Sequence, residues 1–462
     1  MKSKKPWLIL PVEIKVREFD AKILLSCFAV NRGYNVLFGH HKPISNLLNK
    51  LPKGVYLDKS MAYRKTKHIK RCKKHGYYFI SIDEEASGCH VKKQYQHARF
   101  SNENFEIVDA VFTWGDFEQE VILEAYPHVQ SKLHNTGNPR IDLWGSKFKK
   151  LYDEKAQLLR KKYGKYIFFP SNFGSSININ GKEFLIKQAQ ENQWFRDDND
   201  RKQYINRIEH SDNCIKKYSE LIPLIAKTFP DCNLIIRPHP VEDETFWENL
   251  AAPFSNIHVL YEGVATPYIL GAACMLHHGC TTTYEAFLFN TPLIAYLPDY
   301  DERFDKWPGN KLSQKAHNKN DVIKELEQIL NNKYSIPSEA GKIARYNWNN
   351  YKKWNACDEM INVFDKFPLP KVSINELNLL KLKLSDKRKQ SLEAIKNFIK
   401  RILKKNKKKN ALIFSSKYKK RKWPGSSLEE AKNILSFYAS QNNDFAKIKI
   451  KKIVKDLYML YQ

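Results

Sequence analysis

A chain of 462 residues exceeds one ordinary domain, and 42% hydrophobic with 13% aromatic residues excludes a disordered chain. The formal charge of +28 is uneven: residues 371–462 hold 25 Lys/Arg against 7 Asp/Glu, so 18 of the excess positive charges lie there. The basicity belongs to that end and does not mark the whole chain as nucleic-acid binding. The eight cysteines are scattered without a C-x-x-C pair, which argues against a disulfide framework or a zinc module.

Residues 1–5 carry the charge of a signal peptide, but only Trp7 to Leu10 follow before Pro11, so a first strand is expected there. No segment supplies the roughly 18–20 apolar residues of a membrane span, and a cytoplasmic protein is expected. Ala21 to Val30 reads as a buried helix, Gly33 as its stop and Tyr34 to Phe38 as the next strand: a βαβ opening. Further strands are expected at Tyr77 to Ile82 and Ala110 to Thr113, and a domain boundary in the polar stretch Asp142 to Lys165. A second domain opens with Tyr166 to Phe169 and a polar loop containing Ser171 and Asn172. There follow a helix at Ser211 to Phe229, kinked at Pro223, and a strand at Asn233 to Ile236. Strands Met275 to His277 and Pro292 to Tyr296 flank a short helix at Thr282 to Phe289. Alternating strands and helices in both halves predict an α/β protein of two Rossmann-like, doubly wound domains. Ser391 to Leu403 places Leu392, Ile395, Phe398, Ile399, Ile402 and Leu403 at helical spacing among lysines, a basic amphipathic helix. It leads into lysine-rich sequence, then Trp423-Pro-Gly and two final helices. The expected division is residues 1–145, 160–367 and a basic helical appendage, 368–462.

Two segments point to a phosphate site. Ile235-Ile-Arg-Pro-His-Pro240 delivers Arg237 and His239 at the end of a buried strand, where both can meet an anion and Pro240 stiffens the turn. Its blander reading is a polar turn whose histidine is satisfied by backbone. His277-His-Gly-Cys-Thr-Thr-Thr-Tyr-Glu285 combines a close turn at Gly279, the hydroxyls of Thr281, Thr282 and Thr283, and a helix N-terminus, with Glu285 placed for a ribose. The alternative is an ordinary N-cap with its capping box. Asp83, Glu84 and Glu85 follow a strand and suit proton transfer or nucleophilic attack, or else form a solvated acidic turn. Glu13, Lys15, Arg17, Glu18 and Asp20 form a second charged group at the end of the first strand. Glu18 or Asp20 is the reserve catalytic residue, while Lys15 and Arg17 suit an acidic acceptor or a sugar carboxylate. His40-His41 and His277-His278 lack companion ligands at metal spacing, so no metal and no cofactor is expected.

The pair "RPHP" and "HHGCTTTYEA", with "TGNPR", resembles the nucleotide-binding half of GT-B glycosyltransferases, whose two domains face a cleft. The opening "LPVEIKVREFDAKILL", "LPKGVYLDKS" and "IDEEASG" more narrowly resemble bacterial surface carbohydrate biosynthesis proteins, similar to enzymes using CMP-sugars of the Kdo or sialic-acid type. The resemblance covers residues 5–365. It implies a metal-independent glycosyltransferase of surface polysaccharide with a nucleotide-sugar donor and a glycan or lipid-linked acceptor. It also implies nucleotide phosphate on His239, Pro240 and Thr281 to Thr283. Its acidic-acidic-Gly motif is interrupted here by Ala86 and Ser87, which leaves the choice among Asp83, Glu84 and Glu85 open. The alternatives on the same fold are a non-hydrolysing nucleotide-sugar epimerase, a polyol-phosphate transferase, or a non-catalytic assembly scaffold. For the basic end the readings are a solvated appendage on the core, peripheral attachment to the anionic inner leaflet, and, with no recognised RNA motif, nucleic acid last.

Overall fold

The computed structural model describes residues 4–86, 92–192, 194–403 and 422–462. Ser87 and Gly88 of the acidic motif, and the lysine-rich stretch 404–421, lie outside the described residues. The chain divides into two compact units: Met1–Glu84, Arg99–Phe148 and Lys352–Gln462 form the first, Glu85–Ala98 and Lys149–Tyr351 the second.

The first unit is built on strands β1 (Trp7–Val12), β2 (Asn35–His40), β3 (Val55–Asp58), β4 (Tyr78–Ile82), β5 (Ala110–Thr113) and β6 (Leu133–Asn135), all parallel. β1 to β5 are almost wholly buried, as parallel strands covered on both faces must be. The expected buried helix is longer than its apolar run and spans Lys15–Asn31. β1 thus turns into helix through Glu13 and Ile14 alone, and Lys15, Arg17, Glu18 and Asp20 sit on the helix instead of in a strand-end loop.

The second unit has β7 (Tyr166–Pro170), β8 (Asn233–Arg237), β9 (Ile257–Val259), β10 (Cys274–His277), β11 (Leu293–Tyr296) and β12 (Gln314–Ala316), also all parallel, in the order β12-β11-β10-β7-β8-β9. The helix Asp198–Thr228 carries Pro223 inside it and packs Tyr218, Leu221, Ile222 and Ile225 onto the sheet. The Tyr218 hydroxyl donates to the carbonyls of His277 (2.8 Å) and Tyr296 (3.0 Å), so its burial leaves no orphaned polar group. Each unit is Rossmann-like, and the two parallel sheets are as the alternation predicts.

The C-terminal end departs from expectation in one respect. The helices Leu379–Leu403 and Leu428–Gln441 are present, but the last expected helix is a hairpin of β13 (Lys449–Val454) and β14 (Leu457–Tyr461). β14 pairs antiparallel with β2, giving the first sheet the order β13-β14-β2-β1-β3-β4-β5-β6. Residues 422–462 are therefore part of the first unit's core. Tyr438 is buried, with its hydroxyl donating to the Asp20 carbonyl, and Phe445 meets Phe28 edge-on at 5.1 Å. Gly39 sits so close to β14 that a Cβ would lie 2.1 Å from the Asp456 carbonyl oxygen, which only glycine tolerates. On the amphipathic helix, Leu392 and Ile395 are exposed; the side chains of Phe398, Ile399, Ile402 and Leu403 are outside the described set. Among the described residues no helix is long and apolar enough to cross a membrane.

Tyr458 is fully buried, stacks on Phe38 at 5.9 Å and bonds Ser426. Tyr458→Ala should destabilise the protein by about 3–5 kcal/mol, whereas Lys451→Ala on the exposed face should stay within about 0.5 kcal/mol. Urea unfolding of both variants checks this; equal midpoints would mean that the hairpin is not part of the cooperative core.

Candidate functional site

In an open parallel sheet, ligands bind beyond the carboxyl ends of strands where the strand order reverses. In the second unit the chain leaves β7 for β8 and β9, then returns to the other side of β7 with β10, so the reversal lies between β7 and β10. The loop after β7 and the turn after β10 are joined there: Asn172 Nδ2 donates to the Gly279 carbonyl at 2.6 Å. Gly279 has φ +60°, and the Trp307 ring lies 3.0 Å from where a Cβ would be, so conformation and contact both demand glycine. Ser171 is buried and its amide donates to the Arg237 carbonyl, tying the β7 loop to the β8 loop.

The remaining residues anticipated around this candidate site divide into those at least partly exposed and those held by the fold. His239 is exposed, and its Nδ1 accepts from the Val241 amide at 3.5 Å. Pro240, Thr281 and Thr282 are half-buried. Arg237 is half-buried; its Nη1 and Nη2 donate to the carbonyls of Glu262 (2.9 Å) and Gly263 (2.6 Å), and its guanidinium lies between Tyr261 and Tyr268. Thr283 is buried and donates to the Cys280 carbonyl at 2.7 Å, and Thr282 Oγ1 lies 2.9 Å from Cys280 Sγ. Glu285 is buried and accepts from Thr266 Oγ1 at 2.6 Å. His277 is fully buried, donates Nε2–H to Ser313 at 2.8 Å and is held neutral by burial, with its pKa lowered to about 3.

Glu242 organises the loops from below. Its two carboxylate oxygens accept from the Phe173 amide (2.6 Å) and the Trp247 indole (2.9 Å), and its own amide donates to the His239 carbonyl. Burial outweighs these hydrogen bonds and raises its pKa to about 7.

In the first unit the order reverses between β1 and β3. Glu13, just past β1, pairs there with Lys59, just past β3, at 3.1 Å, and with Lys422 at 3.1 Å. Burial pushes the Glu13 carboxyl up, but Lys59, Lys422 and Lys65 outweigh it and hold its pKa far below the carboxylate range. Behind this pair lies a buried group of Glu18, Lys22, Glu84 and Arg140. Glu18 accepts from the Ile14 amide (2.9 Å) and the Glu13 amide (3.2 Å), which caps the uncapped helix start, and lies 3.3 Å from Lys22 Nζ. Arg140 stands over Trp114 and Trp144, 3.7 Å from Glu84 Oε2, and donates to the Glu84 carbonyl at 3.2 Å. Glu84 has its pKa raised, by burial first and by Glu18 against the pull of Lys22 and Arg140.

Of the other acidic residues, Asp83 pairs with Arg99 at 3.3 Å, while Glu85 and Asp20 are half-buried. Lys15 differs from its expected place. Its ammonium binds Glu430 (2.7 Å) and the Gly425 carbonyl (2.6 Å), so the C-terminal segment holds the charge assigned to a sugar carboxylate. Arg17 lies half-buried on the first helical turn. Sequence reasoning assigned no role to Lys22, Lys59 or Arg140; the strand-end position of Lys59 after "VYLD" and the place of Arg140 at the end of "TGNPR" were the signals on offer.

No family model and no curated protein matches the sequence. Solved structures do. A UDP-N-acetylglucosamine 2-epimerase is similar at 12% identity and TM-score 0.50, over 81% of this chain and 100% of that one. The Methanocaldococcus jannaschii UDP-GlcNAc 2-epimerase, solved with UDP-GlcNAc and UDP, is similar at 14% identity and TM-score 0.49, over 79% and 100%. The Neisseria meningitidis enzyme bound to UDP-GlcNAc is similar at 13% identity and TM-score 0.46, over 79% and 100%. At such identities the likeness concerns the fold, a GT-B-like pair of Rossmann units. These neighbours are epimerases, which overturns the glycosyltransferase expectation. Physically, "RPHP" and "HHGCTTTYEA" form strand-end turns of one Rossmann unit, and such turns do not distinguish transfer from epimerisation.

Glu242 yields a pH test. A carboxyl whose pKa is raised on folding binds its proton more tightly in the folded state, so its stabilisation is complete below 4.5 and is lost as pH rises through about 7. Measured as Tm from about pH 5 to about pH 8, the difference between wild type and Glu242→Gln should move in the variant's favour as pH rises. A constant difference would remove the raised pKa.

Proposed function

We propose that this chain is a nucleotide-sugar enzyme of the non-hydrolysing epimerase type. The observation that carries the reading is the second unit's reversal point, where Ser171, Asn172 and Gly279 draw the ends of β7, β8 and β10 together beside Thr281, Thr282 and the exposed His239. Backbone amides, hydroxyls and an imidazole donor are the groups a nucleotide's phosphates require. Glu285, buried and held by Thr266, is a positioning residue beneath this segment, and Arg237 shapes the pocket through the 262–263 loop while contributing positive charge.

Inverting a sugar stereocentre takes a proton from carbon and returns one to the opposite face, so the enzyme needs a group able to hold and release it. Glu84 suits this role: a buried carboxyl with a raised pKa, next to Glu18, Lys22 and Arg140. Asp83, bound to Arg99, and Glu18, spent on capping a helix, are positioning residues in this scheme. The neighbours of this fold are UDP-GlcNAc 2-epimerases, and the substrate proposed first is accordingly a UDP-N-acetylhexosamine.

Full-length protein incubated with UDP-GlcNAc in D2O and followed by proton NMR should yield the C2 epimer with deuterium at the inverted carbon and no free sugar. Glu84→Gln should slow this by about 10²–10⁴-fold while UDP still raises Tm. Release of free sugar, or stabilisation by CMP and not by UDP, would retire the reading.

A further inference from the structure

His210 and Cys214 stand one turn apart on the helix Asp198–Thr228, His278 follows β10, and Asp305 ends the short helix Glu302–Asp305. The fold brings these four together inside the second unit. Cys214 Sγ lies 3.6 Å from His210 Nε2, His210 Nε2 lies 3.0 Å from Asp305 Oδ2, and His278 Nε2 lies 3.5 Å from Asp305 Oδ1. The donor atoms of His210, Cys214 and His278 all fall within 4.8 Å of one another. The group is enclosed: Cys214 and Asp305 are buried, and the two imidazole side chains are 11% and 13% exposed.

We propose that this cluster is a structural zinc site, with Cys214 thiolate, His210 Nε2, His278 Nε2 and an Asp305 carboxylate oxygen as its four ligands. Tetrahedral zinc with bonds of about 2.0–2.3 Å separates its ligands by about 3.3–3.8 Å. The contacts of 3.5 and 3.6 Å lie in that window; the His210–Asp305 contact of 3.0 Å must open slightly, and the separations among His210, Cys214 and His278, all within 4.8 Å, must close by about 1 Å at most. The set is also balanced in charge, because one thiolate and one carboxylate neutralise the dication, with the thiol proton released to solvent.

A second observation points the same way. His278 Nε2 is buried without a hydrogen-bond partner and aims into the cluster. A histidine core held by hydrogen bonds alone leaves that nitrogen with no hydrogen bond and only the 3.5 Å approach of Asp305, whereas a metal would bind it directly. The surroundings orient the ligands as outer groups of metal sites do: the Asp301 amide donates to Asp305 Oδ2 at 2.9 Å, and the Phe173 ring stacks on His278 at 5.4 Å. His278 immediately precedes Gly279, so the metal would fix the turn that starts the phosphate-binding segment. The assignment departs from the sequence expectation of no metal, because three of the four ligands come from segments remote from the His277-His278 pair.

The test uses full-length, tag-free protein and reads metal directly, independently of nucleotide binding or turnover. Elemental analysis should find about one zinc per chain. After chelation, Co2+ should restore a tetrahedral cobalt spectrum with a thiolate-to-cobalt charge-transfer band. Cys214→Ser should lose that band, and Asp305→Asn should weaken zinc binding at least tenfold, about 1.4 kcal/mol, with circular dichroism reporting the fold of each. Failure of the wild-type protein to bind zinc or cobalt stoichiometrically, or a wild-type cobalt spectrum lacking the thiolate band, overturns the site whether or not the variants fold. So does an unchanged cobalt spectrum in Cys214→Ser.

Discussion

The β2 edge of the first sheet is a row of backbone donors and acceptors that must be paired, covered or blunted. Here Leu457 to Leu460 pair with it antiparallel, opposite Val36 to Gly39. That one ladder decides where the rest of the C-terminal end can go. The helix Leu428–Gln441 is drawn onto the helix Lys15–Asn31, Phe445 reaches Phe28, and Trp423 stacks on His40 at 4.6 Å. The charged face of the first helix is then no longer open, and Lys15 finds Glu430 instead of a ligand.

Both sheets concentrate their polar chemistry at the point where strand order reverses, and in both the neighbouring loops are joined across it. Glu13 and Lys59 join them by charge in the first unit, Asn172 and Gly279 by a hydrogen bond in the second. The polar residues behind these contacts are expensive to bury, and the structure offsets the expense by pairing them. Glu18 caps a helix, Lys22 donates to the Pro11 carbonyl and Glu242 satisfies an amide and an indole. Glu84 and Glu242 are left with raised pKa because burial outweighs their partners.

How much of this was legible depends on the range of the forces involved. Apolar runs such as Trp7 to Leu10, Ala110 to Thr113 and Tyr166 to Phe169 declare buried strands within a few residues, and the strands formed there. The final hairpin was readable in principle: Ile448 and Ile450 alternate with Lys447, Lys449 and Lys451, a period of two that the lysine content disguised as basic helix. The candidate nucleotide turns were visible because strand ends carry their residues contiguously. Arg140 beside Glu84, or Cys214 beside His278, is invisible to local pattern, since each pair exists only after the sheet has formed. The transferase expectation went wrong differently: the motifs describe strand-end turns, and nothing in them describes what happens to a sugar.

The interruption of the first unit by the second has a consequence for the order in which the protein is made. Residues 149–351 leave the ribosome while β13 and β14 are still unwritten, so the second sheet can close on the nascent chain with everything it needs. The first sheet begins earlier and finishes later, holding β2 unsealed through about four hundred residues of elongation. The strands of the first sheet that precede the second unit are thus made before it and become safe from pairing with a neighbouring chain only after it.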